Sequence, residues 1–361
     1  MVFLKDSVGR NFSVLWIEIE VVTTTYYVSD SYHVRIPLQG QPAGFNLQYL
    51  MTQPMLTIDI YIGFPSNPDA FNTGDLTHVM TGDIDEMSID PFNQVVSFSG
   101  RDLTSRFIDT KTYEKYANQT ASNIAGQLAK KHGLGAVIQP TSGNVGTYYN
   151  NANTLMTKQT TEWDLLTFLA QQVGYVTYVA LNDLIFAPQA SVQQVEPFII
   201  QYQPQTQSYG SPISNTKTLT FSRCFTLTKD VTVYIRVPYS PLTGRAFTAK
   251  AGKTNPTINS TSAGNQIYTL TLAGLTPQQA QQKAQSLLSQ ITLNEIKMEA
   301  TLPFPEGSIL TKASPIQVIG TQSRLDQVYY SDTIIRRIAY GEGYTVEINA
   351  KNFDVNSQVV L

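Results

Sequence analysis

Three histidines, His33, His78 and His132, and one cysteine, Cys224, are the side chains best suited to hold a metal or attack a substrate. A zinc site needs three or four such ligands at short, recurring spacings. These histidines lie far apart, and no pair has metal-ligand spacing. A single cysteine excludes an intrachain disulfide. The run Arg223-Cys224-Phe225-Thr226-Leu227 alternates like a strand, so Cys224 reads as an inert, half-buried thiol. His132 follows Lys130 and Lys131 and precedes Gly133, which makes it a helix-end residue at the negative pole of a helix.

Asp83, Asp85 and Glu86 form the one carboxylate group worth testing for chemistry. On a strand, residues 83 and 85 share a face, and paired carboxylates can do acid–base work or hold a cation. No third ligand or partner carboxylate stands near them in the sequence. Acids on a strand edge also serve to discourage stray pairing. There is no Gly-x-Ser-x-Gly elbow and no P-loop. Gly341-Glu342-Gly343 lies between two strands with no helix after it, so it reads as a hairpin tip. Trp163 opens a helix among apolar neighbours and reads as core. The tripeptides starting at Asn11, Asn118 and Asn259 match a glycosylation pattern, which carries no meaning without a secretory signal. The residues therefore assign no catalytic, cofactor-binding or metal-binding residue, and no cofactor is expected.

The elements that would carry these residues are mostly strands. Leu15, Ile17, Ile19 and Val21 alternate with Trp16, Glu18 and Glu20, and Leu56, Ile58, Ile60 and Ile62 alternate with Thr57, Asp59 and Tyr61. That period of two predicts strands with one buried face. Residues 79–89 and 94–99 predict a hairpin around Asp90-Pro91-Phe92-Asn93, ending in Gly100-Arg101-Asp102-Leu103. The middle is different. Asn118-Gln119-Thr120 caps a helix carrying Ile124 and Leu128, and Gly133 stops it. A second helix starts at Thr160-Thr161-Glu162-Trp163, with the stripe Trp163, Leu166, Leu169, Ala170 and Val173, closed by Gly174. A short hairpin follows over residues 175–187. Residues 188–215 are polar and weakly periodic, which predicts a surface connector anchored by Phe198-Ile199-Ile200. Strands resume at Val231, Val233, Ile235 and Val237 and again at Tyr268, Leu270 and Leu272. A helix capped by Thr276, with Pro277 at its first position, buries Ala280, Ala284, Leu287, Leu288 and Ile291. Its other face is Gln278, Gln279, Gln281, Gln282 and Gln285. A last hairpin, residues 333–348, ends in Ala350-Lys351-Asn352-Phe353. That tetrad repeats the chemistry of Gly100-Arg101-Asp102-Leu103: small, basic, Asp or Asn, large apolar. The echo suggests two related β units.

The chain has 361 residues, 42% hydrophobic but only 14% charged. Its length predicts two or three domains. Gln, Asn, Thr, Ser and Tyr replace the missing charge, and such a surface is cheap to desolvate against a partner. The net charge is −3, from 24 basic and 27 acidic residues. That balance speaks against tight binding to phosphate backbones, though not against a neutral channel for DNA. The first residues lack a signal peptide, no apolar run is long enough to span a membrane, and synthesis in a cytoplasm is expected.

The order of parts resembles the baseplate hub family. The resemblance rests on Ser99-Gly100-Arg101-Asp102-Leu103-Thr104, on residues 118–125, on His132-Gly133-Leu134, and on Glu162-Trp163-Asp164-Leu165-Leu166. It continues through Thr228-Lys229-Asp230-Val231 and Tyr239-Ser240-Pro241-Leu242-Thr243-Gly244-Arg245, and covers residues 80 to 353. The family includes late-control D-type tail proteins of contractile phages and the front portion of the type VI secretion spike. The resemblance implies a mainly β fold with an α/β insert. Two related β-barrel domains would flank a small α/β domain, in a trimeric, pseudo-hexameric ring. The expected domains are 1–105 (first barrel), 106–190 (insert), 191–217 (connector) and 218–361 (second barrel, with one helix). The implied function is structural, not enzymatic: a homotrimer adapting a hexameric tail tube to a trimeric spike around a channel for DNA. Expected partners are the tail tube or distal tail protein ring, a spike protein and other baseplate proteins. Neither sequence-specific nucleic-acid binding nor membrane insertion is expected. The implied location is the virion tail baseplate. With no lysozyme or spike following the second barrel, a separate spike is expected. The Gln-rich helix face and the acidic strand 83–86 are expected to face the tube or the lumen. The alternatives are a carbohydrate- or receptor-binding tail module, using Tyr148-Tyr149 or Tyr202 to Tyr209, and a wall-degrading hydrolase using Asp83, Asp85 and Glu86.

Overall fold

The computed structural model describes residues 1–352 except 68, 113, 115, 117–118, 143–160, 189–195, 206–211, 224–230, 241, 254–265, 273, 294–295 and 304. Cys224, Asn118, Pro241, Phe353, Tyr148-Tyr149, Tyr209, Asn259 and Thr228-Lys229-Asp230 lie outside the described residues.

The first β region holds β1 (Val2–Asp6), β2 (Asn11–Val14), β3 (Glu18–Thr24), β4 (Ser31–Pro37), the short helix α1 (Leu47–Thr52), β5 (Leu56–Ile62), β6 (Thr77–Asp90) and β7 (Val95–Asp102). In β5 and β7 buried residues alternate without a break, as the period of two requires. The expected strand at 15–21 starts later: Leu15 is exposed, and the pattern settles in β3 with Ile19 and Val21 buried.

The insert holds α2 (Ser105–Asp109), α3 (Ala121–Lys131), β8 (Gly135–Ile138), α4 (Glu162–Val173), β9 (Tyr175–Ala180) and β10 (Asp183–Pro188). Its helices start and stop where their chemistry dictates. The Thr120 hydroxyl accepts from the Asn123 amide, and Thr161 and Asp164 form a reciprocal capping box. Each such cap stabilises a helix by about 1 kcal/mol. Gly174 ends α4 at φ 71°, a left-handed geometry that glycine adopts without a Cβ penalty. β8, β10 and β9 make a three-stranded sheet in that order, with β8 parallel to β10. The helices pack on it around Ile124, Leu128, Leu166, Leu169 and Phe186.

The remaining strands are β11 (Phe198–Gln203), β12 (Ile213–Ser214), β13 (Thr218–Arg223), β14 (Val231–Val237), β15 (Phe247–Lys253), β16 (Gln266–Thr271), β17 (Ile296–Pro303), β18 (Pro315–Ile319), β19 (Val328–Ala339) and β20 (Gly343–Lys351), with α5 (Pro277–Leu293) before β17. β15, β14 and β16 form a separate sheet, covered by α5 and enclosing Val231, Val233, Ile235, Ala280 and Ala284. The expected connector contains β11, which pairs parallel to β18 and buries Ile200.

The protein is mainly β, 49% strand and 16% helix, but the expected pair of closed barrels is not what its strands form. No closed barrel occurs among the described residues. One 14-stranded sheet runs through both β regions, because β3 pairs antiparallel with β19 from Thr24↔Thr333 to Glu18↔Ala339. Hydrogen bonding across that joint merges the two units, and a single apolar core containing Ile19, Val21, Phe98, Ile334 and Ile348 follows. No described helix is long and apolar enough to cross a membrane.

Candidate functional site: the insert joint and the open sheet edges

The turn between β3 and β4 holds the insert against the large sheet. Tyr26 stacks on Tyr178 of β9 with centroids 5.0 Å apart. Tyr27, at φ 70°, donates its amide to the Thr177 carbonyl at 3.3 Å and its hydroxyl to the Tyr175 carbonyl at 2.9 Å. The Trp163 indole donates to the Tyr27 carbonyl at 2.8 Å, so this core residue also clamps the joint. Beside it, the Lys312 ammonium lies 2.9 Å from Asp30 and over the Tyr178 ring. Asp102 is buried next to them. It accepts from the Ser29 hydroxyl at 2.5 Å and the Thr104 amide at 3.2 Å through one oxygen, while its other oxygen has no partner among the described residues. Burial first, and then the charge of Asp30, push the Asp102 carboxyl up to about 6. A cavity of about 350 Å³ opens here, lined by Asp30, His78, Asp102, Tyr178, Lys312 and Arg336 among others.

The carboxylates singled out from sequence are engaged in ion pairs. Asp83 meets Arg106 at 2.8 Å, and Arg106 reaches on to the His132 carbonyl. Asp85 meets Arg101 at 2.7 Å, and Arg101 also binds Asp109 at 2.9 Å. Asp83 and Asp85 are thus held by arginines at the root of the insert. Glu86 is exposed. On the Gln-rich helix, Gln281 donates to the Lys250 carbonyl of β15.

The three histidines occupy three settings. His132 caps α3 and sits 2.5 Å from the buried Glu162, which also pairs with Lys131 at 2.6 Å. His78 stacks on Tyr61 and lies 3.2 Å from Asp59. His33 is a cross-strand neighbour of Glu20. Among the described residues no three His, Cys, Asp or Glu side chains gather closely enough for a metal. Tyr202 is half-buried in β11, opposite Ser214.

Sequence reasoning missed Asp30, Lys312, Tyr178 and Arg336. Only Arg336 left a signal, a charge at an inward position between Ile334 and Ile338. It is buried and binds the Thr23 hydroxyl and the Leu310 carbonyl.

The echoed tetrads prove to be matching parts of matching hairpins. β6 and β7 pair with Ile84 opposite Gly100 and Glu86 opposite Ser99, so Asp85 bulges out. β19 and β20 pair with Ser331 opposite Ala350 and Thr333 opposite Asn349, so Asp332 bulges out. Each bulged aspartate binds the base of its tetrad, Asp85 to Arg101 and Asp332 to Lys351, both at 2.7 Å. The next residue donates its amide across to the adjoining strand in both units, Asp102 to the Asp30 carbonyl and Asn352 to the Ile296 carbonyl. The neighbours continue the match. β3 pairs β4, and β13 pairs β17, with Val22 opposite Ser31 where Ser222 is opposite Lys297. The order β3-β4-β7-β6 thus corresponds to β13-β17-β20-β19.

Besides the terminal strands β2 and β12, two further edges of the large sheet stay open among the described residues. β13 pairs only with β17, and the stretch of β6 beyond Asp83 pairs only with β7. Their apolar side chains Leu219, Phe221, Met87 and Ile89 are half-buried against the main core.

This arrangement, a large duplicated sheet interrupted by an α/β insert, is the fold of phage tail proteins and of proteins related to the type VI secretion spike. The 43 kDa tail protein of prophage MuSo2 from Shewanella oneidensis superposes with a TM-score of 0.64 at 16% identity, over 99% of each chain. A tail protein from Neisseria meningitidis gives 0.61 at 16% identity, over 99% of this chain and 97% of its own. A component of the Escherichia coli type VI secretion system, described as similar to the T4 tail proteins gp27 and gp5, gives 0.51 at 11% identity, over 99% of this chain and 79% of its own. No protein-family model and no curated protein matches the sequence.

Proposed function

We propose that this protein is a structural hub of a phage tail or related injection machine. In this reading three copies form a pseudo-sixfold ring that adapts a hexameric tube to a trimeric spike and leaves a channel for DNA. The duplicated hairpin unit carries the proposal, because two like units per chain allow three chains to present six like faces. The shared fold of tail and spike-related proteins supports it. Two of the three acids considered for hydrolysis, Asp83 and Asp85, are committed to arginines, which supports a structural reading over an enzymatic one. The tube or distal tail ring, a spike and other baseplate proteins would be the partners, and the virion baseplate the location.

Negative-stain imaging of the purified protein tests the reading. Class averages should show a three-lobed ring with an open centre and a pseudo-sixfold outline. Compact particles without a hole, at every concentration tried, would count against it.

A further inference from the structure

An open strand edge is a template for another strand, and soluble proteins rarely leave one uncovered. Two of the edges open among the described residues are each the counterpart of an edge that is filled elsewhere in the same chain. The outer edge of β19 is filled by β3. Its counterpart in the first unit, the outer edge of β6 after the Asp85 bulge, is bare among the described residues. The strand that would fill it by analogy is the counterpart of β3, which is β13, and among the described residues the outer edge of β13 is bare as well.

We infer that β13 of one copy pairs antiparallel with the end of β6 in the next, so that the joint between chains repeats the β3–β19 joint within a chain. The inference rests on the proposed ring and names the surfaces that close it.

The internal joint fixes the register. Ile335 lies opposite Val22, Arg336 opposite Val21 and Arg337 opposite Glu20. Counting from the two bulges, Ser88, Ile89 and Asp90 correspond to Ile335, Arg336 and Arg337. Counting from the β4 and β17 pairings, Ser222, Phe221 and Thr220 correspond to Val22, Val21 and Glu20. Ser88 of one copy therefore meets Ser222 of the next, Ile89 meets Phe221, and Asp90 meets Thr220. The chemistry of the faces agrees with this register. Ile89 and Phe221 are both half-buried on the core side, so their contact extends the apolar core across the joint. Ser88, Asp90, Thr220 and Ser222 are exposed on the other side. The two edges differ, so the contact is head-to-tail, and it closes into a ring only if the rotation allows. With each intermolecular joint equal to the internal one, the six units of three chains are related by equal turns.

Paired antiparallel residues have Cα atoms about 4.5–5.5 Å apart, within the range a disulfide spans. The test is the full chain with Ser88→Cys and Ser222→Cys, in a Cys224→Ser background, under mild oxidation. Within one chain these positions lie seven strand-to-strand steps of about 4.8 Å apart along the sheet, so a bond between them joins two chains. Covalent species up to three chains, returned to one by reductant, are expected. Mixed single variants should give only a covalent dimer of unlike chains. Moving one cysteine two residues, to Asp90→Cys with Ser222→Cys, should reduce the yield at least several-fold. Trimers in solution with no bond at 88–222 would overturn the strand pairing and leave the hub reading intact. Chains that remain single, with neither bond nor trimer, would count against both.

Discussion

The two β units share a skeleton and differ in what they hold. Both have a bulged aspartate bound to the tetrad base and the same backbone bond to the neighbouring strand. The second unit closes on β3 of its own chain, whereas the first carries the insert and keeps an edge that is bare among the described residues. The first unit also places a buried aspartate where the second has Asn352. Gly100, where the second unit has Ala350, has no space for a Cβ, which would stand 2.1 Å from the Asp83 carbonyl and 2.5 Å from the Tyr32 hydroxyl. That hydroxyl binds the Asp83 carbonyl, and the Asp83 side chain binds Arg106. The differences collect where the first unit attaches to the insert. The two units keep the same ladder geometry and differ in the side chains at the attachment.

The largest expected effect asks whether the units are one body. Phe98 and Ile348 occupy corresponding inward positions and are fully buried. Phe98→Ala should cost about 3–5 kcal/mol and Ile348→Ala about 2–5 kcal/mol. Because β3 and β19 join the units, both variants should lower the same calorimetric transition. Two separate transitions, each moved by only one variant, would break the comparison.

A smaller effect is expected at the Asp102 and Asn352 pair. An ordinary Asp carboxyl titrates near ~3.9. Asp102 in the fold is raised to about 6, so between those values the folded state holds the extra proton. Its contribution is most favourable below ~4 and is lost as pH rises through about 6. Asp102→Asn, which copies the second unit, should therefore stabilise the protein near neutral pH, on the order of 2–3 kcal/mol. The gain should shrink towards pH 4. Melting temperatures of the two proteins across pH 4 to 8 check this, and a gain independent of pH would refute the account.

The smallest effect separates the two bulge pairs. Arg101 holds two carboxylates and Lys351 one, all at partly exposed sites. Arg101→Ala should cost up to about 1 kcal/mol and Lys351→Ala a few tenths, both shrinking in high salt. Denaturant midpoints at low and high ionic strength measure this. A larger loss at Lys351 would reverse the comparison.

Much of this fold was legible in short stretches of chain. Alternation marked β5 and β7, and the caps at Thr120 and Thr161 and the glycine stop at Gly174 set the ends of α3 and α4. Four residues at the end of each hairpin were enough to suggest the duplication. These signals are local, because side-chain period, capping and turn geometry depend on neighbours a few residues away. The joint around Asp30, Lys312, Asp102 and Tyr178 left no comparable trace. Its members come from distant parts of the chain, and each is an ordinary residue until the others surround it.

The sequence by itself determined where the most regular strands and helices lie, such as β5, β7, α3 and α4, and which faces they bury. Only the tertiary structure decided that β3 crosses to β19, making one sheet of what reads as two barrels, and that Asp83 and Asp85 belong to arginines. Strand pairing satisfies backbone groups whose partners are indifferent to residue type. Which edge meets which edge is therefore written in the packing of the whole chain and in no single stretch of it.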